Sequence, residues 1–133
     1  MKNLLFVLVL FLIAVSPANA QREFSMTEGD TTYVMKRYVF MHLMAGPERS
    51  QDSIEAVKIQ KGHLAHLDKL ANDGKLAVAG PFEDGGEYRG LLIFDVETID
   101  EAIKLESEDP AVKAKRLEMQ AFYWWGAKGT KLP

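Results

Sequence analysis

The residues best suited to chemistry in this chain are histidines and carboxylates, and two of the three histidines are only three positions apart. His63 and His66 lie in the segment QKGHLAHLDKLANDGKLAVAGPFEDGG, residues 60–86. The chain contains no cysteine, no Gly-rich phosphate loop and no Gly-x-Ser-x-Gly nucleophile motif. An imidazole beside a carboxylate is suited to proton transfer. The two histidines are therefore candidates for an acid/base site, a metal site, or the solvated side of a helix.

A helix predicted from Asp52 to about Asn72 carries both histidines, so the angle between residues indicates which way each one faces. Its apolar residues share one face: Val57, Leu64, Leu67 and Ala71. Gln60 falls within that face, His63 lies roughly 60° from its centre, and His66 lies about twice as far away. An unpaired buried polar group costs about 1–3 kcal/mol. We therefore expect Gln60 and His63 to have polar partners beneath the helix and His66 to lie on the surface.

A metal site is the weaker interpretation of the His-x-x-His spacing. Two imidazoles one helical turn apart supply only two ligands, and a zinc site normally needs at least a third from the protein. His42, in phase with Tyr38 and Phe40 on a predicted strand, is a distant candidate for that third ligand. We predict no metal and no other cofactor.

Other candidate residues also have plain structural explanations. Asp109 precedes a proline and is a good N-cap for a short helical turn. Arg89 begins a predicted strand and could simply complement Glu87. Trp125 belongs to an aromatic cluster that could be part of an interface.

The distribution of strand-forming and helix-forming residues predicts an α+β fold of one domain. The predicted strands are 33–43, 76–82, 89–96 and 117–125, and capping boxes open helices at Asp52/Glu55 and Thr98/Glu101. The order β-α-β-β-α-β is that of a ferredoxin-like fold. It predicts a four-stranded antiparallel sheet of order 4-1-3-2 with both helices on one face. Residues 21–36 are predicted to be a polar leader, loose as far as Thr32, with 37–126 the domain and 127–133 a tail.

The last predicted strand is apolar on both faces, which bears on the oligomeric state. Alternate residues point one way, Leu117, Met119, Ala121, Tyr123 and Trp125, while Phe122 and Trp124 point the other. The two helices can cover only one face of the sheet. The other face therefore predicts a homodimer formed by sheet-on-sheet packing.

The first twenty residues have the features of a signal peptide. Lys2 is followed by an apolar run, residues 4–15, and Ala18-Asn19-Ala20 supplies small residues for cleavage after Ala20. This apolar run is shorter than the roughly 20 residues that span a bilayer. We expect export to the periplasm or medium. The formal net charge of −3 disfavours binding to nucleic acid or to an anionic membrane, since both need a basic face.

Taken together, these segments resemble the YCII-related domain family. The resemblance runs from Tyr38 to Gly126 and is carried by YVFMHLMAGPERS, by residues 60–86, by RGLLIFDVETIDEAIKLESEDPAVKAKRLE and by FYWWG. It implies a dimeric α+β barrel, in which the sheets of two ferredoxin-like subunits pair around a cavity. It also implies an active site in which His63 matches the family histidine and Asp109 the aspartate of Asp-Pro. A few relatives resemble dehydrochlorinases of chlorinated aromatics. Relatives are usually cytoplasmic, so the predicted signal peptide departs from the pattern of the family.

Two functions follow from the resemblance and the residues together. The first is a cofactor-free lyase or isomerase in which His63 is the acid or base and Asp109 orients it. In that enzyme Gln60, Arg89, His42 and Trp125 would bind the substrate. The second is a non-catalytic module that binds a small ligand in the same cavity.

Overall fold

The structure, a computed structural model, describes residues 22–133. It has an α+β fold whose elements are, in order, β1 Glu23–Glu28, β2 Thr31–Ala45, α1 Ser53–Asn72, β3 Leu76–Pro81, β4 Tyr88–Phe94, α2 Ile99–Glu106, α3 Pro110–Lys113 and β5 Leu117–Ala127. The predicted signal peptide and its cleavage site lie outside the described residues. No helix within residues 22–133 has both the length and the apolar character needed to cross a bilayer.

The sheet has the predicted strand order. β2 pairs with β5 on one edge and with β4 on the other, and β3 pairs with β4; every pair is antiparallel. The order β5-β2-β4-β3 is the predicted 4-1-3-2. Both helices lie on one face, because Leu70 of α1 and Ala102 of α2 belong to the same buried core as Val39, Met41 and Phe94 of the sheet.

A fifth strand corrects the prediction of an unstructured leader and of a four-stranded sheet. Residues 23–28 pair antiparallel with residues 31–36 and form a hairpin with β2. Met35 pairs with Phe24 on one side and with Ala127 on the other, so β1 and β5 occupy opposite edges of β2. β1 therefore lies in line with β4. The sequence pattern misses it because the strand is largely exposed and polar.

Ion pairs fix the junction between β1 and β4. Asp95, just after β4, accepts hydrogen bonds from Arg22 at 2.8 Å and from Lys36 at 2.6 Å. Burial acts to raise the pKa of Asp95, but the hydrogen bonds from Lys36 and Arg22 outweigh it and leave that pKa below its ordinary value. The junction is thus held by a carboxylate that two cations share.

The predicted helix caps are confirmed. The side chain of Asp52 accepts from the backbone N–H of Glu55 at 2.8 Å at the start of α1. Thr98 accepts from the backbone N–H of Glu101 at 3.1 Å at the start of α2. Gly74 follows α1 with φ of +70°, the left-handed conformation predicted at that position.

The predicted apolar face of α1 is wrong. Val57 and Leu64 are 69% and 53% exposed, whereas the buried residues are Ile59, His63 and Leu70. The buried side of α1 includes His63 because its polar partner, Asp109, is the N-cap of α3. The prediction that His66 is a surface residue is wrong as well, since its side chain is only 13% exposed.

Candidate functional site

His63 and Asp109 form a buried pair. Nδ1 of His63 lies 2.6 Å from Oδ2 of Asp109; the His63 side chain is 11% exposed and that of Asp109 is fully buried. Asp109 also caps α3, because its Oδ1 accepts from the backbone N–H of Ala111 at 2.6 Å. One oxygen of the carboxylate therefore holds the imidazole and the other holds the helix.

The close packing of α1 on α3 brings the two side chains together. A Cβ at Gly62 would lie 2.9 Å from Cγ of Pro110, closer than real Cβ contacts. Glycine at this position lets the proline ring, and with it the adjacent Asp109, approach α1 one residue from His63. Pro110 at the first position of α3 has no N–H to leave unpaired.

Asp109 carries the negative charge of the pair. Burial acts to raise its pKa, but the hydrogen bond with His63, the charge of His63 and the Ala111 N–H outweigh burial, and the pKa of Asp109 is lowered. A carboxylate can only accept at Oδ2, so Nδ1 of His63 must be the protonated nitrogen that donates. Nε2 is then the nitrogen left to exchange a proton.

A second carboxyl group, Glu106, lies beside this pair. It is fully buried, and neither of its oxygens has a hydrogen-bond partner among the described residues. Burial and then the neighbouring Asp109 raise the pKa of Glu106 to about 8. Two buried carboxyl groups in contact do not both ionise readily. Glu106 is therefore the one that keeps its proton.

His66 faces Glu106 rather than His63. Its Nε2 lies 3.7 Å from Oε2 of Glu106, and that nitrogen is buried without a hydrogen-bond partner among residues 22–133. A distance of 3.7 Å is too long for a hydrogen bond. We therefore treat His66 and Glu106 as neighbours and not as a bonded pair.

One group of residues has the donor atoms of a metal site. His63, Glu106 and Asp109 offer ligand atoms that all lie within 4.8 Å of one another. However, the 2.6 Å hydrogen bond between Nδ1 of His63 and Oδ2 of Asp109 already occupies two of these ligand atoms. A cation bound by these donors would have to break that bond and displace the proton of Glu106. The geometry fits proton sharing better than metal binding.

A cavity of about 460 Å³ opens above His63, between α1 and the sheet. This volume is within the usual range for small-molecule sites. Both Gln60 and Arg89 line it, as predicted for a common site with His63, although Gln60 is largely exposed. A β-bulge accounts for Arg89: Leu43 pairs with Gly90 and Met44 with Tyr88, so Arg89 is the extra residue.

The structure does not bring His42 or Trp125 to this cavity. His42 lies on the opposite face of the sheet, where its ring is surrounded by Phe40, Phe82, Tyr88 and Phe122. Trp125 lies at the other end of β5 and packs edge-on against Phe24, with ring centroids 4.9 Å apart. Arg89 forms no salt bridge with Glu87 within the described part of the chain.

Three residues of the site were missed by reasoning from the sequence. Glu106 was missed although Ala102, Glu106 and Asp109 have the spacing of one buried stripe, which is a usable signal. Arg49 and Arg116 also line the cavity. They come from loops on either side of the site, and no local pattern in the sequence places them there.

Comparisons with known proteins identify a family. The profile of the YCII-related domain matches residues 39–123. No curated protein matches the chain significantly. Among solved structures, the chain is similar to 5-chloro-2-hydroxyhydroquinone dehydrochlorinase from Burkholderia phenoliruptrix in complex with 2,5-dihydroxybenzoquinone. The two are 23% identical, with a TM-score of 0.48 over 65% of this chain and 92% of that one.

Proposed function

The protein belongs to the YCII-related domain family, and we propose that it is a small-molecule enzyme of the lyase or isomerase type in which His63 transfers a proton. The single observation that carries this proposal is the buried hydrogen bond of 2.6 Å between Nδ1 of His63 and Oδ2 of Asp109, next to a cavity that His63 lines. A buried carboxylate that fixes the tautomer of an imidazole is a recurrent device of acid/base catalysis.

In the proposed reaction Nε2 of His63 removes a proton from a carbon next to a carbonyl group. The C–H electron pair forms a carbon–carbon double bond, the π pair of the carbonyl group moves onto its oxygen, and Asp109 stabilises the imidazolium that forms. An isomerase then returns the proton to another atom of the substrate, whereas a lyase expels an anionic leaving group. Neither outcome needs an oxidant or a reductant.

The test is proton exchange in D₂O. Phenylpyruvate and related small carbonyl acids are incubated with the protein, and deuterium incorporation is followed by NMR. We expect exchange above the buffer rate, and we expect His63→Asn to lower it by about 10²–10⁴-fold, the usual contribution of a general base. His42→Asn, the same chemical change on the other face of the sheet, serves as the control and should keep the exchange rate.

Equal exchange by the two variants would contradict the role of His63. Saturable binding of these acids by the wild-type protein without exchange of any of them would favour the alternative, a non-catalytic module that binds small ligands. The cavity would serve either function, so its presence does not decide between them.

We also propose that the protein is a homodimer and that it is exported. The aromatic side chains on the open face of the sheet support the dimer, since Phe122 and Trp124 are 45% and 43% exposed.

The apolar run of residues 4–15 and the Ala18-Asn19-Ala20 sequence support export. Mass spectrometry of protein recovered from the periplasm of a bacterial host should find a chain that begins at Gln21. Recovery of only the full-length chain from the cytoplasm would contradict export.

A further inference from the structure

Three arginines converge on the cavity of His63. Arg49, Arg89 and Arg116 all line it. None of them forms a salt bridge with a carboxylate within residues 22–133. Like charges repel at this range, and burial together with the charges of Arg89 and Arg116 lowers the pKa of Arg49. The fold thus holds three cations close together without neutralising them.

The hydrogen bonds of the three guanidinium groups go to neutral partners. Arg49 donates to the carbonyl of Arg116 at 2.9 Å, and Arg116 donates to Oε1 of Gln51 at 2.5 Å. Arg89 donates to the carbonyl of Gly85 at 2.7 Å, while its Nε is buried without a partner. These bonds fix the positions of the side chains and leave their charge available to a ligand.

The charge of the cavity is opposite to that of the whole chain. The protein has a formal net charge of −3, yet the cavity is lined by the three arginines and a single carboxylate, Asp68, which is exposed. A local excess of positive charge in an acidic protein attracts anions to that place and not to the surface in general.

Apart from Gln60 and His63, the rest of the lining is apolar. It includes Leu43, Ile59, Leu64, Leu67, Leu92 and Leu117. Apolar walls favour a ligand with an apolar body, and the planar guanidinium group of arginine matches the geometry of a carboxylate. A bulky hydrated ion such as phosphate would gain nothing from these walls.

We propose that the cavity binds a small organic anion, with a carboxylate or the oxyanion of an acidic enol or phenol against the arginines and an apolar body against the leucines. The binding of the anion is independent of the proposed function; only its role as a substrate rests on that function, to which it adds the class of substrate. An anion held in this way places its neighbouring C–H bond near His63. The same guanidinium groups would stabilise the negative charge that develops on oxygen as the proton leaves.

Binding of benzoate, benzamide and inorganic phosphate to the unmodified protein tests the proposal. Benzamide has the shape of benzoate without its charge. We expect benzoate to bind at least about tenfold more tightly than benzamide, since a charge-assisted hydrogen bond contributes roughly 1.5–3 kcal/mol. Benzoate affinity should also fall as ionic strength rises, and that of benzamide should not. Phosphate should bind more weakly than benzoate.

Two substitutions connect the binding to the arginines. Arg89→Gln and Arg49→Gln should each weaken benzoate binding by about tenfold or more, whereas Arg37→Gln should leave it unchanged. Arg37 is a matched control because it lies outside the cavity, with its guanidinium 4.4 Å from the ring centroid of Tyr123.

The proposal is overturned if benzoate and benzamide bind equally, if phosphate binds as tightly as benzoate, or if both arginine variants keep the wild-type affinity. His63→Asn separates this proposal from the proposed function. That variant should retain benzoate binding even though it loses exchange. If the wild-type protein showed no preference for benzoate over benzamide but still exchanged protons, the anion site would be contradicted and the role of His63 would not.

Discussion

At the scale of single residues, Glu106 gives the site an unusual dependence on pH. The pKa of Glu106 is 4.5 in an unfolded chain and about 8 in the folded protein. Below pH 4.5 both states are protonated. Between these values only the folded state keeps the proton, so the free energy of unfolding falls as pH rises, by up to about 1.4 kcal/mol per pH unit. Asp109 has the opposite effect, because its pKa is lowered in the folded protein. It stabilises the fold at pH values above the ordinary pKa of an aspartate, and this contribution is lost as the pH falls through its lowered pKa.

We predict that Glu106→Gln removes the loss of stability above pH 5. The amide of glutamine has nearly the shape of the protonated acid and is neutral at every pH, so burying it carries no pH-dependent cost. The melting temperature of the variant should therefore exceed that of the wild type by a margin that grows from pH 5 to pH 8, corresponding to a few kcal/mol at most. Calorimetry at several pH values measures it. A margin independent of pH, or equal to that of the exposed control Glu118→Gln, would contradict the shifted pKa.

The sequence alone predicted part of this site. His63 and Asp109 were identified, His63 as a polar residue near an apolar face and both through the family resemblance. Glu106 was missed although its spacing from Ala102 and Asp109 is that of a buried stripe. His66 was misplaced because its burial depends on its contact with Glu106, and such a long-range contact leaves no local pattern.

At the scale of elements, the contact between α1 and α3 sets the distance between His63 and Asp109. We predict that Gly62→Ala displaces α3 and lowers proton exchange. The loss of stability should be small, because alanine favours a helix by about 1 kcal/mol over glycine and offsets part of the clash. Exchange kinetics and thermal melts measure the two effects.

Pro110→Ala provides the matched test of that contact. It removes Cγ, the atom nearest to the added methyl group. The double variant Gly62→Ala/Pro110→Ala should recover exchange relative to Gly62→Ala. If proton exchange by the double variant were lowered by as much as the effects of the two single substitutions combined, a clash between the proline ring and the methyl group at position 62 would not be the cause.

Element types and ends were predictable because caps and turn residues are local signals. Asp52, Thr98 and Gly74 mark the helix ends where the structure has them. The orientation of α1 was not predictable from its hydrophobic pattern, since Val57 and Leu64 stay exposed while a histidine is buried. The cause is that the burial of His63 depends on Asp109, which is far along the chain.

At the scale of the whole molecule, the open face of the sheet predicts dimerisation. We expect sedimentation at micromolar concentration to give twice the monomer mass, and Phe122→Glu to give a monomer, because a charge would be buried in the paired sheets. Ile54→Glu is the control; this residue is 81% exposed but lies on α1, away from the sheet. A monomeric wild-type protein, or a Phe122→Glu variant that remains dimeric, would contradict the prediction.

The most direct test of the central claim is the exchange rate of Asp109→Asn. Asparagine is about as good an N-cap as aspartate, so α3 and the melting temperature should be largely preserved. Its amide group would instead present a donor to Nδ1 of His63, which reverses the tautomer and places the proton on Nε2. We therefore expect proton exchange with phenylpyruvate in D₂O to fall by at least about a hundredfold while stability changes little. An exchange rate equal to that of the wild type would mean that Asp109 is only a helix cap, and the proposed acid/base pair would be wrong.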